Sequence, residues 1–160
     1  MPCSTSTNTL GLPIPDDVGT LLYTMTLSGF NGRIPSGSAI TLTTFIIHSY
    51  CGDLVLTLTS PKGTSVILVY RIGNQRQNIY NGTVWSDPAE YDVGNYLNNL
   101  PIPVTQAKPQ TGAFADFDGE NPNGVWTFTV ADVDLQNIGF LNGLSLNIPN
   151  ISEFFTLIFF

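Results

Sequence analysis

A chain of 160 residues suits one domain and can bury roughly two thirds of its unfolded surface, so no disulfide or metal is needed merely to form a core. Five Lys and Arg against twelve Asp and Glu give a net charge of −7, which argues against phosphate backbones and anionic lipid; no nucleic-acid partner is expected. Cys3 and Cys51 with the one histidine, His48, are too few for a Cys/His zinc site, and both thiols are expected to stay unpaired.

Residues 1–13 are polar, then broken by Gly and Pro, and read as a disordered lead-in. They hold neither the basic nor the apolar region of a signal peptide. A turn-rich entry follows, and the first strand is expected over Leu21 to Leu27, with Leu21, Tyr23, Met25 and Leu27 on one face. After a Gly-rich loop, Ala39 to His48 alternates again through Ile40, Leu42, Thr44, Ile46 and His48. Gly52 to Leu68 reads as a hairpin. Leu54, Leu56 and Leu58 point inward before a Ser60-Pro61-Lys62-Gly63 turn, and Val66, Leu68 and Tyr70 form the next inward set.

The second half is less regular. Asn78 to Trp85 is a weak strand with Ile79, Asn81, Thr83 and Trp85 aligned, and residues 86–113 form a long loop without sustained period. Ala113 to Asp118 is expected as a short strand. Asn121-Pro122-Asn123-Gly124 is dense turn chemistry, and the run behind it puts Trp126, Phe128 and Val130 on one face and Val125, Thr127 and Thr129 on the other. Phe140 to Ile148 resumes alternation after a kink at Asn142-Gly143. The apolar tail, 149–160, is too short to span a bilayer and reads as an edge strand, a plug for a partner or a truncation product. About eight short strands without a normal helix predict an all-β domain, a β-sandwich or jelly roll.

Catalysis finds little support in the residues. A serine-protease triad needs a histidine oriented by a carboxylate beside a nucleophile, yet His48 sits in register with Ile46 and Leu42, and no Gly-x-Ser-x-Gly elbow occurs. Asp116, Asp118 and Glu120 supply carboxylates for glycoside hydrolysis only inside a turn. Asp116, Asp118, Glu120 and Asp132, with Asp134 nearby, flank both ends of the Trp126 strand and form the candidate Ca²⁺ set; the plainer reading is acids that solvate turns and cap strand ends. Trp85, Tyr80, Tyr91 and Tyr96 form the candidate platform for carbohydrate, the plainer reading being core packing.

Five stretches carry a resemblance. Ile14-Pro15-Asp16-Asp17 opens it; His48-Ser49-Tyr50-Cys51-Gly52-Asp53-Leu54 and Leu58-Thr59-Ser60-Pro61-Lys62-Gly63-Thr64 continue it; Gly119 to Asp132 and Gly139 to Ile148 close it. In these the chain resembles the P domain, or Homo B domain, found beside the subtilisin-like catalytic domain of proprotein convertases and many bacterial secreted proteases. Cys51 stands where that family often has arginine, and Leu144 near a frequent tryptophan. The resemblance covers 14–148 and implies a jelly-roll β-sandwich of the galactose-binding-like type. It further implies an extracellular or secretory setting and a non-catalytic accessory role, stabilising or regulating a subtilisin-like serine endopeptidase, with calcium sites in some members. The alternative is a stand-alone carbohydrate- or protein-binding sandwich.

Overall fold

The computed structural model describes residues 10–16, 19–95, 103–149 and the backbone of 154–159. Ten strands among them form two sheets. One sheet runs β2 (Thr20–Leu27), β8 (Gly124–Asp132), β4 (Leu54–Thr59), β5 (Ser65–Tyr70) in spatial order, all antiparallel. The other runs β1 (Leu12–Ile14), β9 (Gly139–Pro149), β3 (Thr41–His48), β6 (Asn81–Trp85), β7 (Gln106–Ala107), and β10 (Phe154–Phe159) also pairs with β9. Only β6 and β7 are parallel in this β-sandwich. No helix among the described residues is long and apolar enough to cross a membrane.

Period-two alternation builds the core, because successive side chains of a strand point to opposite faces. Met25 and Leu27 of β2, Leu54, Leu56 and Leu58 of β4, and Trp126, Phe128 and Val130 of β8 meet Leu42 and Ile46 of β3 and Leu144 and Leu146 of β9, all buried. The kink expected at Asn142-Gly143 is a bulge: Phe45 opposes Gly143 and Ile46 opposes Leu141, leaving Asn142 unpaired across the ladder. Its carbonyl accepts instead from Leu10 N at 2.9 Å.

Three expectations are corrected. Leu56 opposes Val69 and Thr57 opposes Ile67, so Leu68 is the extra residue of a bulge. The phase flips there: Val69 is buried beside Leu68, and Tyr70, expected inward, is 56% exposed. The stretch Ala113 to Asp118 is not a strand but a 3-10 turn, Phe114–Phe117. With three residues per turn Phe114 and Phe117 fall on the same side, and both are buried. Asp87 closes its N-terminus, accepting from Phe114 N and Ala115 N at 2.8 Å each. Finally, strand structure begins at Leu12, inside the stretch read as a lead-in, because Leu12 pairs with Leu141 on the edge of β9. The tail supplies β10 on the same edge of the sheet.

Candidate functional site

The stretches that carry the sequence pattern pack on one another at the two ends of β8. At its N-terminal end, the β4–β5 turn meets the Gly119–Asn123 turn. Ser60 Oγ donates to Glu120 Oε2 at 2.5 Å and Thr64 Oγ1 donates to Oε1, so the buried carboxylate has a hydroxyl on each oxygen. Gly124, at φ 128°, permits this approach: an added Cβ would lie 2.8 Å from Pro61 Cβ. Asn123 clamps the neighbouring loop by accepting from Phe30 N and donating to Phe30 O. Trp126 Nε1 donates to Pro122 O at 2.9 Å, and its ring takes Phe117 edge-on with centroids 5.0 Å apart.

At the other end, inward alternation brings two polar residues together. His48 ends the inward face of β3 and Asp132 ends that of β8, so they meet across the sandwich. His48 Nε2 and Asp132 Oδ2 are 2.9 Å apart, both residues being almost fully buried. Nδ1 lies 2.9 Å from Tyr50 O and 3.2 Å from Tyr50 N, so the backbone serves either tautomer. Among the described residues no hydroxyl or thiol is hydrogen-bonded to either ring nitrogen. Gly139 is the residue that fits beside this ring, since a Cβ there would stand 2.3 Å from His48 Cδ2. Cys51 is a free, buried thiol nearby, and burial pushes its pKa up.

Outside the His48–Asp132 pair, loops from three parts of the chain line an open pocket of about 430 Å³. Gly52 is part of its lining; a Cβ there would come within 2.9 Å of both Tyr50 Cε1 and the Asn74 backbone, so glycine lets ring and loop close down. Asp53, 3% exposed, lines one wall and accepts from Asn137 Nδ2 at 2.9 Å through Oδ2. Burial, and then the nearby Asp132 and Asp134 carboxylates, hold the Asp53 carboxyl above the usual range for aspartate. Arg71 and Asp134 form a loose pair at 3.5 Å on the rim, each about half exposed. Arg71 and Gln136 hold positive φ without being glycine or asparagine, and both lie in the connections that border the pocket.

The four expected metal ligands are not brought together. Asp116 Oδ2 accepts from Ala113 N at 3.0 Å, and Glu120 is held by Ser60 and Thr64. Asp118 Oδ2 accepts from Gly37 N at 3.0 Å, while its Oδ1 is buried with no partner among the described residues. Asp132 lies at the far end of β8, on the order of 25 Å away at a strand's rise of about 3.3 Å per residue, against His48. No group of three or more His, Cys, Asp or Glu among the described residues is placed to hold a metal ion. The aromatic platform is corrected. Trp85 and Tyr80 are wholly buried, with Trp85 Nε1 donating to Thr44 Oγ1 and Tyr80 Oη to Ile72 O. Tyr91 is half-buried, and Tyr96 lies outside the described residues, as does Cys3.

A family model, the proprotein convertase P-domain, matches residues 37–148, more than half of the sequence. The chain belongs to the proprotein convertase P-domain family. A curated relative, leupeptin-inactivating enzyme 1 of Streptomyces exfoliatus, is 27% identical over 136 residues, 84% of this chain. Two crystal structures of the serine protease of Aeromonas sobria, one in complex with a chaperone, are 18% and 19% identical with TM-scores of 0.43 and 0.45, over 98% of this chain. This P domain spans only 24% of the Streptomyces relative and 22% of each Aeromonas chain.

Proposed function

We propose that this P domain is the non-catalytic companion of a subtilisin-like serine endopeptidase, stabilising or regulating the protease domain in cis or in trans, in an extracellular or secretory setting. Membership of the P-domain family supports the pairing. The observation that carries the non-catalytic half is His48: it is the chain's one histidine, and buried contacts with Asp132 and the Tyr50 backbone occupy its ring nitrogens. A triad base needs a nucleophile on that ring. The test is to produce the parent protease with and without this domain and compare its thermal inactivation half-life, with the separate domain added back. A shorter half-life without the domain, restored on add-back, fits a stabiliser. Unchanged half-life and activity, or peptide hydrolysis by this chain alone that is lost in His48→Ala, overturns the reading.

Calcium is a second proposal, confined to Asp118. It is supported by the buried Oδ1 of that residue, which has no donor among the described residues and would gain from a cation. Binding only the folded state stabilises by RT ln(1 + [L]/Kd), about 2.7 kcal/mol at a hundredfold excess over Kd. Millimolar CaCl₂ should then raise the melting temperature above that in NaCl of equal ionic strength, and Asp118→Asn should remove the difference. Equal shifts from both salts retire the metal.

A further inference from the structure

The pocket beside Asp53 is unexplained by anything above, and its charge is unbalanced. Asp53 and Asp134 bring two negative charges and Arg71 one positive, so one negative charge remains. Arg71 leans to Asp134, leaving that charge on Asp53. Asn137 satisfies Asp53 Oδ2, but among the described residues no donor is bonded to Oδ1, although the residue is 3% exposed and lines the cavity. An ionised carboxylate with an unbonded oxygen at the wall of a cavity gains from a counter-charge. Asp132, the next carboxylate behind it, is already taken by His48.

We infer that this pocket receives the guanidinium of an arginine, or less well a lysine ammonium, projecting from a polypeptide partner. A single surplus charge matches a monovalent group. About 430 Å³ far exceeds one metal ion and accommodates a long side chain. Tyr50, also in the lining, is an aromatic surface of the kind a flat cation stacks on, and Asp53 and Asn74 are acceptors for its several N–H groups, beside Asn137, whose carbonyl already accepts from Ser49 Oγ. Leu135 and Ile138, 55% and 67% exposed in the same β8–β9 connection, supply an apolar fringe that a peptide covers and a free amino acid does not. The protease companion is the carrier of that arginine; only this attribution rests on the function proposed above.

The test uses the whole chain, acetyl-Leu-Arg-Leu-amide, and the same peptide with citrulline, which keeps the shape and loses the charge. Amide spectra should show saturable shifts at Gly52, Asn74 and Asn137 with the arginine peptide and none with citrulline. Asp53→Asn should abolish binding. Asp134→Asn, at an exposed position that does not threaten folding, should weaken it several-fold, and Arg71→Ala should tighten it several-fold by removing the resident competitor. Equal response to both peptides, no response, or indifference to all three substitutions overturns the inference. So does CaCl₂ shifting these amides where the peptide does not. Saturable binding with no effect of the domain on protease half-life upholds the pocket and sinks the companion.

Discussion

Asp53 shows how one residue can oppose the stability of the fold that holds it. Its folded-state pKa is raised, chiefly by burial and then by Asp132 and Asp134, so its contribution is fully present below the usual aspartate range and lost as pH rises through the folded value. Asp53→Asn removes the charge and keeps the shape. The melting-temperature difference, variant minus wild type, should therefore grow between about pH 3.5 and pH 7. A difference flat across that range would mean that Asp53 titrates as in the unfolded chain. His48 and Asp132 were half legible in the sequence: each continues the inward alternation of its strand by one step. What alternation does not reveal is which strand of the opposite sheet faces which, so their partnership emerged only in three dimensions. Arg71, Tyr50 and Asn137 gave no signal, because they lie in aperiodic connections whose paths depend on the strands they join.

At the scale of elements, β8 is central to its sheet, paired with β2 and β4 over most of its length, and Trp126 is its largest inward side chain. Trp126→Ala should cost ~3–5 kcal/mol through the cavity and the lost indole contacts. Thr127→Ala and Thr129→Ala, on the opposite face, should cost much less, as urea melts can measure; similar losses on both faces would show a second covered side. Strands β2, β3, β4, β8 and β9 were legible because long alternating runs have one solution for burying one face. The errors have local physical causes. At β5 a single bulged residue reverses the phase for Tyr70, and at Phe114–Phe117 the two aromatics are spaced for a turn, with Asp87 far along the sequence supplying the cap. A reading by periodicity has no means of placing an insertion of one residue, or a cap from 27 residues away.

Considered whole, the sandwich is fastened at both ends of β8 by side-chain carboxylates, Glu120 at one and Asp132 at the other, with an apolar interior between. The outer edge of β9 is divided between two visitors: β1 pairs with Gly139–Leu141, and β10 pairs with Leu144 to Pro149. That division makes half of the β9 edge depend on the segment that supplies β10. Deleting residues 150–160 would strip six residues of β9 of their partners, and a bare strand edge is a template for any chain that can hydrogen-bond to it. The shortened protein should self-associate in light scattering, and a synthetic peptide of residues 153–160 should return it to the mass of the full chain. Equal mass with and without the segment would show that the edge defends itself. An edge that is closed by a detachable strand can be opened by proteolysis, and its vacancy filled by strand donation from another molecule.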